Sequence, residues 1–134
     1  MHGAFSVKVR RLILDRDDCA CTLCGVLVVN PVTYSPLRDY SLQHRRARGM
    51  GGSRDKATAS PANGVTLCGH ATSPDGCHAL VEAKPQWALS RGYRVPQGLD
   101  PATVPLWHHE LGWVLLDGFG GYVSQDVPFG EVTA

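Results

Sequence analysis

Apolar and polar positions change their period several times along the chain. Over residues 7–18 the apolar Val9, Leu12 and Ile13 recur at helical spacing with Arg10, Arg11 and Arg16 on other faces, which predicts a short amphipathic helix. It stops at Asp17-Asp18-Cys19-Ala20-Cys21-Thr22-Leu23-Cys24-Gly25, where Gly25 can supply the positive φ of a tight knuckle. Residues 26–29 read as a strand ended by Asn30-Pro31, and residues 34–39 as a loop broken by Pro36. Tyr40-Ser41-Leu42-Gln43-His44-Arg45 alternates as one strand of a hairpin, with Leu42 and His44 on one face and Gln43 and Arg45 on the other. Val65-Thr66-Leu67-Cys68 is the returning strand, with Asn63-Gly64 just ahead of it, and Gly49-Met50-Gly51-Gly52-Ser53 fits no regular element. After Pro74-Asp75-Gly76 a helix starts near Cys77 or His78, carries Val81 and Glu82, and is interrupted by Pro85. A second short helix runs through Trp87 and Leu89 to Arg91 and closes at Gly92. Residues 95–105 read as irregular, and residues 112–124 as a terminal β-hairpin with a glycine-rich turn. The pattern is that of an α+β protein.

Length adds a constraint. A chain of 134 residues suits one domain, here a core of about 9–92 and an extension of about 93–134, and a core that small benefits from a staple. The net charge of +1 hides an asymmetry: residues 1–56 carry net +5 and residues 57–134 net −4, with the densest basic run between Arg45 and Lys56. One face for a polyanion would show such a split, and so would a solvated basic loop; charge alone weighs them equally. Val7-Lys8-Val9-Arg10-Arg11-Leu12 is too polar for a secretory signal and no stretch reaches membrane-spanning length, so the expected location is cytoplasmic, with no membrane partner.

In a reducing compartment the paired spacing of the five cysteines argues for metal rather than disulfides. Cys21 and Cys24 have the two-residue gap that lets two thiolates meet one tetrahedral ion, and Cys68 and Cys77 can complete a structural zinc site across a longer connector. Cys19 competes with Cys21 as a ligand, but Cys21 makes the tighter motif with Cys24 and is the expected one; His70 is an alternative fourth donor. Four thiolates leave no open coordination position, so this zinc would be structural.

Within that frame, Gln43-His44-Arg45, then Asn63, then Cys77-His78 with Glu82 four residues on, resembles the HNH endonuclease family. The wider order of Arg16-Asp17, Cys21-x-x-Cys24-Gly25, His44-Arg45-Arg46, Gly49-Met50-Gly51-Gly52, Leu67-Cys68 and Gly76-Cys77-His78 is similar to small HNH nucleases of bacteriophages, and covers most of the chain from Val9 to Leu116. The resemblance implies a ββα-metal core around one divalent cation, hydrolysis of DNA to 5′-phosphate and 3′-hydroxyl ends, and a phage processing or packaging context in a bacterial host with a terminase as conceivable partner. It also implies that Gln43 and His78 are ligands of a catalytic cation, that Asn63 orients the base or helps hold metal, and that His44 is the base. Gln43 departs from the family, which commonly has Asp, Glu or His there, and offers only an amide oxygen.

Chemistry supports the same division of labour. Water needs a base and the phosphate needs a cation, and His44, titrating near neutrality, suits the base. Glu82 shares a helical face with His78 and can bind the cation directly or through water. Arg45, Arg46, Arg48, Arg54 and Lys56 are the expected grip on flanking phosphates, Arg45 also counting among the catalytic residues. Mg2+ or Mn2+ is the expected catalytic ion, while histidine ligation also suits Ni2+ or Zn2+. Two rivals remain: a zinc-ribbon module that binds DNA or a packaging protein without cutting, and a thiol redox protein built on Cys21-x-x-Cys24.

Overall fold

The computed structural model describes residues 3–49, 55–70 and 75–124. Helix α1 spans Val7–Arg16 and is capped by Ser6, whose hydroxyl accepts from the Val9 N–H. Its buried residues Ile13 and Leu14 pack with Cys19, Val28, Val29 and Leu42. The expected strand at residues 26–29 is instead two isolated antiparallel bridges, Ala20 to Leu27 and Val29 to Pro36. Pro36 lacks the N–H that would extend the second into a ladder, and Tyr34 at φ +61° turns the chain too sharply for a regular strand.

Strands β1 (Tyr40–His44) and β2 (Gly64–Cys68) form an antiparallel pair in which Ser41 faces Leu67, Gln43 faces Val65 and His44 faces Gly64. Between them lie two 3-10 turns, Lys56–Ala59 and Pro61–Asn63; the second is capped by Ser60 and opens on Pro61. Helix α2 (Cys77–Ala83) follows β2, and α3 begins at Pro85 itself, spanning Pro85–Arg91, because proline costs nothing at a first helical position. Val81 of α2 packs with Val65 and Leu67 of β2, Ala88 of α3, Tyr93, Leu106, Val114 and Leu116 in the larger core. Hairpin and helix α2 thus make a β-β-α succession.

Beyond a third 3-10 turn, Pro101–Thr103, the terminal sheet has three strands rather than two: β3 (Leu106–His108), β4 (Gly112–Leu116) and β5 (Tyr122–Ser124), in that order. At three residues, β3 is too short for alternation to reveal it. Its Trp107 meets Trp113 of β4 edge-on, so these tryptophans pack the hairpin. The sheet is tied to the hairpin by a buried network in which Asp17 accepts from Arg16, the Thr66 N–H and the Tyr122 hydroxyl, while Arg16 donates to the Pro61 and Gly64 carbonyls. No helix among the described residues is long and apolar enough to cross a membrane.

Candidate functional site

Cys21 and Cys24 lie on the knuckle after α1, Cys68 ends β2 and Cys77 opens α2. Their four sulfurs all lie within 4.8 Å of one another. Zinc bound at about 2.3 Å by four sulfurs requires S···S edges of about 3.8 Å. Cys24 Sγ and Cys68 Sγ are 3.8 Å apart, so the donor set fits such an ion without rearrangement at that edge. The Cys21 N–H bonds the Val26 carbonyl and the Gly25 N–H bonds the Cys21 carbonyl, which closes the knuckle. Gly25 stands at φ +83°, and a Cβ there would lie 2.7 Å from His109 Nε2. Gly76 is required for another reason: a Cβ on it would sit 2.7 Å from the Gly69 Cα, so only glycine lets the connector return beneath Cys68. That return also aims the Cys77 N–H at Cys68 Sγ, 3.4 Å away.

The thiols respond to their crowding. A hydrogen bond with Cys77 pulls Cys21 down to about 5, the same bond pushes Cys77 far up, and burial raises Cys24 to about 11. Thiols this close cannot ionise together unless a cation compensates them. Cys19 is not among them; it is buried in the α1 core, where burial raises its thiol. His70 is also elsewhere, facing Asp39 at 3.4 Å.

None of these cysteines lines the cleft of about 390 Å³ whose lining includes Gln43, His44, Glu82, Arg94 and Gln97. Alternation along β1 turns Ser41 and Gln43 toward α2. The Ser41 hydroxyl donates to the Gly69 carbonyl at 3.2 Å and meets His78 Nδ1 at 2.5 Å. The ring is thereby held at Nδ1, with Nε2 on the side of Glu82. That Nε2 lies 3.5 Å from Glu82 Oε1, and Glu82 Oε2 takes a bond from Arg94 Nη2 at 3.1 Å. Gln43 is 8 % exposed, donates to the Tyr93 carbonyl at 3.2 Å, and leaves its Oε1 buried without a partner.

His44 is held from the opposite face of β1. Its ring stacks on Phe5, centroids 3.9 Å apart, and its Nε2 meets the Gly3 carbonyl at 2.6 Å. A carbonyl can only accept, so Nε2 carries the hydrogen and Nδ1 the lone pair. Burial lowers the pKa of His44, which favours this neutral form. The rings of His44 and His78 are therefore gripped from the two sides of the strand, although His44 and Glu82 line one cleft. Among the described residues, the four cysteines are the one cluster of three or more His, Cys, Asp or Glu side chains close enough to share an ion.

Asn63 is fully buried and binds the chain just after His44: its Oδ1 accepts from the Arg46 N–H at 2.7 Å, its Nδ2 donates to the Arg46 and Thr58 carbonyls, and its own carbonyl accepts from the Arg45 N–H at 2.7 Å. The arginines that follow correct an expectation. Arg45, 2 % exposed, spends its guanidinium on the carbonyls of Gly92, Ala62, Pro101 and Val104. Arg46, 4 % exposed, is bound to the Leu99 carbonyl, Asp55 and Thr58. Every guanidinium nitrogen of Arg45 is bonded within the fold, while Arg46 keeps one, Nε, buried without a partner. Lys56 is exposed, Arg48 runs beside Gly3, and Arg54 lies outside the described residues.

Sequence reasoning passed over Ser41 and Arg94. Serine on a strand is unremarkable, and nothing local links Arg94 to Glu82 twelve positions earlier. No family model matches the chain, and neither a curated protein nor a solved structure matches it.

Proposed function

We propose that this chain is a metal-dependent endonuclease of the HNH type that hydrolyses DNA phosphodiester bonds, stapled by a structural zinc on Cys21, Cys24, Cys68 and Cys77. One observation carries the reading. Gln43 has a buried, unpartnered oxygen and lines a cleft with His44 and Glu82, while His78 holds Nε2 3.5 Å from Glu82. An orphaned acceptor costs about 1–3 kcal/mol, a penalty tolerated where a ligand relieves it. Gln43, His78 and Glu82 would hold the cation, Mg2+ or Mn2+ with Ni2+ or Zn2+ as substitutes, which supplies neutralisation of charge on the phosphate and the leaving oxygen.

His44 takes the proton from water through Nδ1, since its Nε2 hydrogen is committed to Gly3. Asn63 is a positioning residue that fixes the turn after His44, and Arg45 is a strut rather than a catalyst. The phosphodiester would lie at the end of β1, with the base on one side and the cation ligands on the other. DNA as substrate, the phage packaging setting and a terminase partner follow from the resemblance that covers most of the chain from Val9 to Leu116 and belong to this proposal.

Plasmid cleavage tests it, with Mg2+, Mn2+, Ni2+ or Zn2+ added and His44→Ala as control. Metal-dependent cutting that falls at least about 100-fold in the variant is expected. Cutting that survives His44→Ala removes the base; absence of cutting in all four metals removes the nuclease. The rival binding module would need its basic run at the surface, and the burial of Arg45 and Arg46 counts against it.

A further inference from the structure

With Arg45 bonded to four carbonyls and Arg46 buried outside the lining of the cleft, the cleft needs another group for the substrate's negative charge. Arg94 lines that cleft. Its Nη2 is fixed to Glu82 Oε2 at 3.1 Å, while its Nε is buried and has no partner. Two residues of its lining therefore carry buried, orphaned atoms of opposite character: an acceptor, Gln43 Oε1, and a charged donor, Arg94 Nε–H. A lone acceptor suits a cation, and a guanidinium N–H suits an oxyanion. Glu82 stands between His78 and Arg94, facing the first with one oxygen and the second with the other. That pairing of needs is met by a cation with a phosphate beside it, and a cleft of about 390 Å³ has room for both.

We propose that Arg94 binds a nonbridging oxygen of the phosphodiester in this cleft, an inference that rests on the nuclease reading. Its guanidinium is held by Glu82 in advance, so the donor edge turned to the ligand is already ordered. The competing role is purely structural: Arg94 would only steady Glu82 and never touch substrate.

Binding separates these roles without depending on turnover. Duplex DNA is titrated by fluorescence anisotropy in Ca2+ at several salt concentrations, using His44→Ala as the background to prevent cutting, with and without Arg94→Gln. Each phosphate contact contributes about 0.9 to the slope of log affinity against log salt. Arg94→Gln is expected to reduce the slope by about that amount and weaken binding several-fold, whereas Arg94→Lys keeps the slope. An unchanged slope in Arg94→Gln overturns the inference, even if the cation needed for half-maximal cleavage rises, because that is what a steadying role predicts. If Arg94→Gln fails to fold, judged by circular dichroism and zinc content, Arg94→Met is read in its place. Wild-type protein that binds with an Arg94-dependent slope but never cuts would uphold the phosphate contact and overturn the nuclease. Wild-type protein that binds no DNA overturns both.

Discussion

Arg45 shows how far a residue's neighbourhood can redirect it. Beside His44 it looks like a phosphate ligand, yet its guanidinium joins four carbonyls from three separate stretches of chain. Burial lowers its pKa, and those carbonyls replace the lost water. Arg45→Met should cost at least about 3 kcal/mol, because it strands the carbonyls as well as removing a charge. Exposed Lys56→Ala should stay within about 0.5 kcal/mol; urea denaturation compares the two. Ser41 makes the converse case of an ordinary residue with a special task. If the chain cuts DNA as proposed, Ser41→Ala releases the His78 ring from its 2.5 Å contact at Nδ1, and the cation concentration for half-maximal cleavage should rise about 10-fold or more with zinc content unchanged. An unchanged midpoint in a metal titration would refute the role.

Among elements, the junction between β2 and α2 is the most demanding, since it must deliver two sulfurs from either end of one connector. Gly76→Ala places a methyl 2.7 Å from the Gly69 Cα, a backbone atom that cannot swing aside. We expect a loss of about 1–3 kcal/mol together with weaker zinc retention in a chelator competition assay. The turn between β3 and β4 depends on a histidine. His108 Nδ1 accepts from the N–H groups of Glu110 and Leu111 at 3.1 Å each, and burial followed by the nearby His109 lowers its pKa below the ordinary 6.5. The unfolded chain therefore takes up the proton first as pH falls. The stability from neutral His108 is complete above about 6.5 and is lost as pH drops through the lowered folded value. Urea midpoints between pH 7.5 and 5 should decline less steeply in His108→Asn, whose amide oxygen can accept the same bonds. These elements also show what a sequence pattern can carry: α1, β1, β2 and the break at Pro85 follow from local periodicity and proline geometry, whereas three-residue β3 exists because β4 offers it a partner.

At the scale of the whole molecule, four sulfurs close the knuckle, the hairpin and α2 onto one point. Removing the ion with a strong chelator should unfold the chain, seen as lost circular dichroism, and one zinc per chain should return on refolding. An unchanged spectrum in metal-free protein would refute the staple. The amino-acid sequence by itself determined the α+β class, the hairpin and the four cysteines, because spacing, alternation and breakers act over a few residues. It also singled out Asn63, though not its partners. Only the tertiary structure decided that the four sulfurs meet at one point, that Arg45 and Arg46 face inward, and that Gln43 and Arg94, each with an unpaired buried atom, line one cleft. Those outcomes depend on carbonyls and side chains that lie far along the chain from the residues they satisfy, such as Gly92 and Val104 from Arg45, and a buried polar group takes its role from whichever of them folding leaves within reach.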